Sequence, residues 1–399
     1  MKSLKSLRLH ISIFGRTNVG KSSFLNSVTN QDVSIVSDTK GTTTDIVEKS
    51  CELFPVGPVT FLDTAGIDDD TTLGEKRILK TMKVLERTDV AVLMITSDGL
   101  SEYELPLIEK FSEYKIPFVV VVNKSDLSKI SKQKYEEITA YTNHIIEVSA
   151  TNQENITDEF VSELVKIVPD DFVNPPSILG DKLTKSDIVI LVTPIDKEAP
   201  KGRLILPQVQ TIRDILDNEC SCVVTQVENL ETILNSLKVK PKMVVTDSQA
   251  FKEVDKITPD DIPLTSFSIL FARLKGDLAS FVKGAEAIPT LKPEDKVLIL
   301  ESCTHHAIDD DIARVKIPKL MEKKLGFRPI FEYKTGHDFP DITPYKLLVH
   351  CGACMTNRKE VLSRILIANK KHVPITNYGI LISYCLGIHE RALKLFDDK

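Results

Sequence analysis

Short apolar runs alternate with amphipathic stretches along most of the chain. Val90–Ile95 and Phe118–Val122 are apolar runs of strand length, and Leu105–Phe111 between them has helical spacing. A strand at Ile145–Ser149 and a helix around Asp158–Ile167 close this first block. Because strands that alternate with helices build parallel sheets covered by helices, the pattern predicts an α/β fold with mainly parallel sheets.

Two stretches rich in turn-forming residues interrupt the alternation. Val168–Gly180 is rich in proline, glycine and aspartate and is typical of a linker, and Ala287–Glu294 contains two further prolines. We therefore predict an N-terminal domain over residues 1–170, a small α/β domain over 171–270 and a third domain over 271–399.

The second and third predicted domains each repeat the alternation of strand and helix on a smaller scale. The second has strands at Ile188–Val192, Cys222–Thr225 and Met243–Thr246, and helices at Val209–Leu216 and Leu230–Leu237. The third has strands at Val297–Glu301, Pro329–Tyr333 and Leu347–His350, and helices near Pro318–Leu325, Lys359–Ala368 and Gly379–Leu395. Both domains are expected to hold small parallel sheets.

Composition narrows the class of protein without naming a function. Of the 399 residues, 42% are hydrophobic and 27% are charged, and the formal net charge of −6 argues against broad electrostatic capture of nucleic acid. The apolar run Ile11–Phe14 is too short for a signal peptide, and no run approaches the roughly 18 apolar residues that span a bilayer. We expect a cytoplasmic protein with neither a nucleic-acid nor a membrane partner. Its seven cysteines, unevenly spread, do not suggest a disulfide framework.

A phosphate-binding motif follows the first apolar strand. Residues 15–22 read GRTNVGKS between a strand and a helical stretch, and they match the pattern G-x-x-x-x-G-K-[ST]. The glycines allow main-chain N–H groups to approach phosphates, and the helix N-terminus adds a favourable dipole. Lys21 is expected to reach the β- and γ-phosphates, and the Ser22 hydroxyl is expected to bind Mg²⁺.

Further motifs follow in the order of a guanine-nucleotide site. Residues 63–66 read DTAG, which places the Asp63 carboxylate near Mg²⁺ and the Gly66 N–H at the γ-phosphate. Residues 123–126 read NKSD, and the Asp126 carboxylate can accept from the N1–H and the amino group of guanine, a donor pair that adenine lacks. Ser149 and Ala150 follow another strand and close the base pocket.

A hydroxyl-rich segment lies between the first two motifs. Residues 41–45 read GTTTD and suit a switch loop, with Thr43 as the candidate Mg²⁺ ligand. The predicted nucleotide contacts are Gly15, Asn18, Val19, Gly20, Lys21, Ser22, Ser23, Asp63, Gly66, Asn123, Lys124, Asp126, Ser149 and Ala150. The predicted catalytic residues are Asn18, Lys21, Ser22, Thr43, Asp63 and Gly66. Together the motifs predict a P-loop GTPase that binds GTP, GDP and Mg²⁺.

The sequences of these motifs resemble those of the Era/TrmE branch of GTPases. Ile67 follows DTAG where Ras-like proteins have a glutamine that orients water, and an apolar side chain cannot do so. In TrmE-like proteins an asparagine of the P-loop, here Asn18, helps to bind K⁺. The resemblance therefore implies slow, K⁺-stimulated hydrolysis of GTP to GDP and phosphate. A plain loop-capping function is the alternative for Asn18.

Two motifs with cysteine and histidine follow strands of the third domain. Residues 303–305 read CTH directly after Val297–Leu300, and residues 350–354 read HCGAC directly after Leu347–Val349. Because the loops that leave the carboxyl ends of parallel strands converge on one crevice, we expect both motifs at one site. The candidate metal ligands are Cys303, Cys351 and Cys354, with His305 and His350 as further candidates.

Two inorganic interpretations are open for this set. Three cysteines and one histidine around a single ion would make a closed, tetrahedral Zn²⁺ site. Three cysteines around a 4Fe-4S cluster would leave one iron for a histidine, another residue or an exchangeable ligand. Buried thiols without a metal are the third interpretation. The other cysteines lie in apolar contexts and are predicted core residues: Cys51, Cys220, Cys222 and Cys385.

The three predicted domains together resemble the HydF family of FeFe-hydrogenase maturation proteins, over essentially the full length. The resemblance implies a homodimer formed through the middle domain and a 4Fe-4S cluster held by Cys303, Cys351 and Cys354. It also implies a scaffold that receives a transient diiron precursor, made with two radical-SAM maturases, and passes it to apo FeFe-hydrogenase. Motif spacing does not settle which residue completes the cluster, so His305 and His350 stay candidates.

Two other classes of function compete with a GTPase-coupled scaffold. A GTPase of tRNA or ribosome biology with a zinc-binding tail is opposed by the acidic composition, the absence of tryptophan and the lack of a GXXG loop in the tail. A redox protein with a regulatory GTPase domain is opposed by the absence of a second cluster motif.

Overall fold

The computed structural model of the protein describes residues 7–29, 47–64, 81, 83–151, 155–194, 204–302, 311–337 and 339–396. The chain divides into two compact units, Met1–Pro175 and Pro176–Lys399, which we call the N-terminal unit and the C-terminal unit. Within the described ranges, no helix is both long enough and apolar enough to cross a bilayer.

The described part of the N-terminal unit is built on a six-stranded sheet. Its strands are β1 (Leu9–Gly15), β2 (Val47–Leu53), β3 (Gly57–Asp63), β4 (Val90–Ile95), β5 (Phe118–Val122) and β6 (Ile145–Glu147). They lie in the order β2-β3-β1-β4-β5-β6, and each pairing is parallel except that of β2 with β3. Every residue of β1 and β4 is buried, as expected of central strands in a parallel sheet with both faces covered.

Helices cover both faces of this sheet. They are α1 (Lys21–Val28), α2 (Leu105–Glu113), α3 (Lys132–Thr139), α4 (Ile156–Ile167) and the short α5 (Asp170–Val173). On one face the Phe160 ring packs against Phe24 and Phe61, and on the other face Phe14 packs against Phe111. The two apolar cores hold the strands rigidly, so that the loops at their carboxyl ends have fixed starting points.

The described part of the C-terminal unit contains two four-stranded sheets, both parallel throughout. The first has the order β10-β9-β7-β8, with β7 (Ile188–Val192), β8 (Ser221–Thr225), β9 (Met243–Thr246) and β10 (Leu264–Ser266). The second has the order β12-β11-β13-β14, with β11 (Lys296–Glu301), β12 (Ile330–Thr335), β13 (Leu347–His350) and β14 (Ile375–Asn377). Val244 of the first sheet and Ile299 of the second belong to one contiguous apolar core.

Helices pack around both sheets of this unit. They are α6 (Leu206–Asp217), α7 (Leu230–Ser236), α8 (Phe251–Ile257), α9 (Phe267–Lys275), α10 (Leu278–Ala285), α11 (Ile317–Leu325), α12 (Arg358–Lys370), α13 (Tyr378–Leu386) and α14 (His389–Leu393). Single helical turns occur at Gly180–Lys182, Val227–Asn229, Ile288–Thr290 and Lys394–Phe396, and a π-helical turn at Ile312–Lys316 precedes α11. The fold is therefore an α/β P-loop domain followed by further α/β structure with parallel sheets, as the sequence predicted.

The expected strands all occur, but the prediction of one helix over Gly379–Leu395 is wrong. Gly387 has a φ of 78° and ends α13, and the N–H of Ile388 donates to the Ser383 carbonyl as in a Schellman motif. The chain then starts the separate helix α14. The boundary between the second and third predicted domains stays a prediction.

Candidate functional site

The P-loop connects β1 to α1 and requires glycine at two positions. Gly15 has a φ of 148°, and a Cβ atom there would lie 2.4 Å from the main-chain oxygen of Met94. Gly20 has a φ of 96°, and its Cβ would lie 2.2 Å from Nδ2 of Asn123. Because glycine has no side chain, the loop packs closely against β4 at Gly15 and against the NKSD motif at Gly20. A Cβ atom would clash at either position.

Lys21 begins α1 and folds over the loop that precedes it. Its buried ammonium group donates hydrogen bonds to the carbonyl oxygens of Gly15 (2.9 Å) and Arg16 (2.8 Å). The Arg16 guanidinium in turn donates from Nε to the carboxylate of Glu104 at 2.8 Å, and Glu104 is fully buried. These contacts fix the shape of the loop and keep a cation where phosphate oxygens bind in P-loop proteins.

Asp63 and Ser22 meet at the carboxyl end of β3. The Ser22 hydroxyl donates to Oδ2 of Asp63 at 3.0 Å, and Oδ1 of Asp63 is buried without a hydrogen-bond partner among the described residues. Burial raises the pKa of Asp63, against the opposing effects of the Ser22 hydrogen bond and the Lys21 charge. A buried carboxylate oxygen that lacks a donor, next to a hydroxyl, fits the oxygen-ligand preference of Mg²⁺.

The base-recognition motifs are joined by side-chain hydrogen bonds. Asn123 accepts at Oδ1 from the N–H of Ala150 (3.0 Å) and donates from Nδ2 to the Val19 carbonyl (2.8 Å). Ser149 donates from its hydroxyl to Oδ1 of Asp126 at 2.6 Å. Asn123 therefore ties the P-loop to the base pocket, and Asp126 lies exposed at its rim.

The remaining nucleotide predictions fall on exposed or partly buried positions, or outside the described residues. Asn18 is exposed with a left-handed φ of 61°, Lys124 also has a φ of 61°, and Ser23 is exposed on α1. Thr43 and Gly66 lie outside the described residues, so their roles stay predictions.

The second site lies in the C-terminal unit, where Cys351 and Cys354 follow β13. Because β11 is the neighbour of β13, Leu300 is aligned with His350 and the two strands end side by side. The N–H of Ser302 donates to Sγ of Cys351 at 3.2 Å, and Sγ also lies 3.3 Å from the Ser302 hydroxyl. Ser302 directly precedes Cys303 in the chain, although Cys303 and His305 lie outside the described residues.

The Cys354 thiol is partly buried, and it lies near the buried cation of Lys275. Burial, and to a smaller extent the neighbouring Cys351, raises the pKa of the Cys354 thiol to about 11. The Lys275 charge acts in the opposite direction. Lys275 ends α9 and donates from Nζ to the Thr356 carbonyl at 3.2 Å. A thiol with this pKa stays protonated at neutral pH unless a metal ion displaces the proton. The donor set therefore suits a thiophilic metal or cluster.

His350 is completely buried and has hydrogen-bond partners at both ring nitrogens. Nε2 lies 3.0 Å from Nη1 of Arg364, and Nδ1 lies 2.9 Å from the carbonyl oxygen of Cys351. Burial, and then the Arg364 charge, lowers the pKa of His350 to about 4, so the ring is neutral. As an iron ligand, His350 would have to give up one of these bonds.

The four other cysteines have the environments of core residues. Cys220 is buried, whereas Cys51, Cys222 and Cys385 are partly buried, and burial raises the pKa of Cys385 to about 12. Among the described residues, no group of three or more histidine, cysteine, aspartate and glutamate side chains is arranged to hold a metal ion. Cys303 is outside that set, so the three-cysteine site stays a prediction.

Comparison with family models identifies the C-terminal unit. Residues 178–276 match the hydrogen maturase F dimerization domain, and residues 279–395 match the hydrogen maturase F tetramerization domain. These two matches together cover more than half of the chain. The chain belongs to the hydrogen maturase F family. Residues 10–124 of this HydF protein match the model described as a 50S ribosome-binding GTPase, so its N-terminal unit is a guanine-nucleotide-binding GTPase domain.

Individual relatives that are themselves GTPases match part of this chain. GTPase Der of a Nitratiruptor species is 40% identical over 140 residues, which are 34% of this chain and 29% of that protein. The tRNA modification GTPase MnmE of Caldicellulosiruptor saccharolyticus is 31% identical over 160 residues, 40% of this chain and 34% of that protein. The chain thus spans about a third of the length of these curated relatives.

One similar solved structure is Era in complex with MgGDPNP and a segment of 16S ribosomal RNA. The two sequences are 22% identical, and the match covers 59% of this chain and 92% of the Era chain, with a TM-score of 0.35. At that score the match supports no inference about ligands or partners.

Proposed function

We propose that this HydF protein hydrolyses GTP and is a scaffold that binds a 4Fe-4S cluster and assembles or delivers the diiron precursor of the FeFe-hydrogenase active site to apo-hydrogenase. The single observation that carries the proposal is the contact of Ser302 with the Cys351 thiol. It brings the chain that leads into Cys303 to the Cys351–Cys354 loop, in a unit that matches hydrogen maturase F along most of its length.

The cluster would be held by Cys303, Cys351 and Cys354. Three thiolates anchor a cuboidal cluster and leave one iron open. A bound cluster would supply an iron with an exchangeable coordination position, to which the diiron precursor can attach. Among the described residues, the chain contributes the partly buried thiols of Cys351 and Cys354, the cation of Lys275 near Cys354, and the main-chain N–H of Ser302, which donates to sulfur.

The remaining partners of the proposal follow from the family. Dimerization and tetramerization domains support self-association, and we propose a homodimer formed through residues 171–270. The precursor would come from two radical-SAM maturases, and the acceptor would be apo FeFe-hydrogenase. We place all of these steps in the cytoplasm.

GTP hydrolysis would proceed with Mg²⁺ held by Asp63, Ser22 and Thr43. The Lys21 ammonium group binds the phosphates, and its charge stabilises the negative charge that develops during phosphoryl transfer. Ile67 cannot orient water, so we propose that K⁺ near Asn18 supplies part of the charge stabilisation and that turnover is slow.

Replacing K⁺ by Na⁺ should slow GTP hydrolysis by the parent protein by about 10-fold or more. The smaller Na⁺ would fit the proposed K⁺ position less well and would stabilise the developing negative charge less. Steady-state phosphate release in matched chloride salts measures the effect. In Asn18→Ala the two salts should give similar rates, because the proposed K⁺ ligand is missing. Thr17→Ala, in the same loop, is the matched control and should keep the contrast. Equal rates in both salts for the parent would remove the K⁺ proposal.

Activation of apo-hydrogenase tests the scaffold proposal as a whole. The parent protein, supplied with the two maturases, should activate apo-hydrogenase, and Cys354→Ala should not, because the cluster lacks one of its three anchors. Lys21→Ala should lose GTP hydrolysis but keep its iron, since its substitution lies in the other unit. Parent-like activation by Cys354→Ala would reject the scaffold function.

A further inference from the structure

A chain of buried polar side chains lies behind the Cys351–Cys354 loop. His350, Arg364 and Glu360 are 0%, 1% and 2% exposed. Arg364 donates from Nη2 to Oε1 of Glu360 at 2.6 Å and lies with Nη1 3.0 Å from Nε2 of His350. The other carboxylate oxygen of Glu360 lies 2.9 Å from Nδ1 of His337, which is exposed. A charged arginine is thus held in the interior, directly beside the cysteine motif.

Arg364 also connects the ends of two strands. Its Nη2 donates to the carbonyl of Gly336, which follows β12, at 3.0 Å, while Nη1 contacts His350 at the end of β13. The strand between these two is β11, which leads to Ser302. A single guanidinium group on α12 therefore fixes the positions of the strand ends on both sides of the chain that enters the cysteine site.

The contact with Arg364 determines which nitrogen of His350 carries the proton. A guanidinium group has only donors, so Nε2 of His350 must accept from Arg364. The proton is then on Nδ1, which donates to the Cys351 carbonyl at 2.9 Å. That carbonyl also accepts from Nδ2 of Asn377 at 3.3 Å, and the Cys351 N–H donates to Leu300. Both main-chain polar groups of Cys351, its N–H and its carbonyl, are therefore held by hydrogen bonds.

We propose that Arg364 is a positioning residue of the cysteine site, which acts through His350 on the main chain of Cys351, and that His350 is a hydrogen-bond donor rather than an iron ligand. The inference rests on the proposed function, because it concerns how the cluster is held. Outer contacts of this kind typically change metal affinity by about 10- to 100-fold when removed.

A double substitution tests the positioning function without leaving a buried charge unpaired. Glu360→Gln/Arg364→Met removes both charges and keeps the side-chain volumes, whereas removing Arg364 alone would leave the Glu360 charge uncompensated. Asp255→Asn/Arg391→Met is the matched control, since Arg391 pairs with Asp255 at 2.7 Å in the same unit. Thermal unfolding of both double variants checks that they fold.

The first readout uses the full chain freed of iron. Iodoacetamide should label Cys351 and Cys354 about 10-fold faster in Glu360→Gln/Arg364→Met than in the parent, because the loop is no longer held through His350. The control variant should label at the parental rate. Labelling at the parental rate in both double variants would overturn the positioning function.

Two substitutions of His350 separate a donor from a ligand, even where the double variant does not fold. The amide of asparagine takes the place of Nδ1 and can still donate to the Cys351 carbonyl, whereas the amide of glutamine takes the place of Nε2. With anaerobically reconstituted full chain, His350→Asn should release iron to a chelator several-fold more slowly than His350→Gln. Pulsed EPR after ¹⁵N-histidine labelling should give the same nitrogen coupling in the parent and in His350→Asn. Equal iron loss from both variants would reject the donor function, and a coupling that disappears in His350→Asn would make His350 a ligand; either result overturns the inference.

The two kinds of readout fail separately. A parent protein that takes up no iron, while the labelling contrast holds, rejects the proposed cluster but leaves Arg364 as the residue that orders the loop. A parent that binds a full cluster, with equal labelling of parent and Glu360→Gln/Arg364→Met, keeps the proposed function and rejects the positioning function.

Discussion

Asp126→Asn should convert the guanine site into one that prefers xanthine. The Asp126 carboxylate can accept from both the N1–H and the amino group of guanine, whereas an asparagine amide offers one acceptor and one donor. That pair complements xanthine, which has a carbonyl in place of the amino group. Sites that hydrogen-bond such groups discriminate by about 10⁴-fold, so we expect GTP affinity to fall by about 10³-fold or more while xanthosine triphosphate binds well.

Competition against a fluorescent guanine nucleotide measures both affinities. Ser149→Ala is a graded control, because it removes only the 2.6 Å hydrogen bond that orients Asp126 and leaves the carboxylate in place. It should weaken GTP binding by about 10-fold, the effect of one hydrogen bond to a charged group, without creating a preference for xanthine. Parent-like GTP affinity in Asp126→Asn would show that the base binds elsewhere.

Cys351→Ala and Cys354→Ala should each lose nearly all cluster iron. A cuboidal cluster of about four irons held by three protein thiolates has no spare anchor, so removal of one thiolate exposes a second iron to solvent. We expect less than about one iron per chain after anaerobic reconstitution and desalting, compared with about four in the parent.

Two cysteines of the same unit provide matched controls for this loss. Cys222 lies on the strand β8 and Cys385 on the helix α13, and both are partly buried thiols in apolar surroundings. Cys222→Ala and Cys385→Ala should retain iron at the parental level. Retention of iron in Cys351→Ala, or its loss in the two controls, would place the cluster on other residues.

The sequence predicted those parts of the sites that lie on contiguous motifs at strand ends. GRTNVGKS begins at the last residue of β1, NKSD follows β5, and HCGAC begins at the last residue of β13. In each parallel sheet, the register brings the ends of neighbouring strands to one edge. The hydrogen bond of Asn123 to Val19, and that of Ser302 to Cys351, are local consequences of that register. These motifs therefore allowed both the strand ends and the site residues to be predicted.

Elements without a clear hydrophobic period could not be predicted from the sequence. The helix α9, FSILFARLK, has buried residues on nearly every side, so its apolar pattern does not show the 3.6-residue period. The strands β10 and β14 are only three residues long and give no alternation to read. Two of these elements supply site residues, Lys275 on α9 and Asn377 on β14.

The environment of His350 could not be predicted for a different reason. Its partner Arg364 comes from α12, and a Glu360–Arg364 pair four residues apart is the usual signature of an exposed helix face. Packing places this pair in the interior, where Arg364 hydrogen-bonds to His350. The motif alone suggests that histidine as a metal ligand. Tertiary packing, and not local sequence, decides between these functions.

The central claim is that a GTPase domain is joined to an iron-sulfur scaffold. Its most direct test is the metal and sulfide content of the full chain purified and reconstituted without oxygen, measured together with its zinc content. The account predicts about four irons and four sulfides per chain, less than stoichiometric zinc, and loss of the iron and sulfide in Cys303→Ala. One zinc per chain without sulfide, unaffected by iron reconstitution, would contradict it and leave a GTPase with a zinc-binding tail.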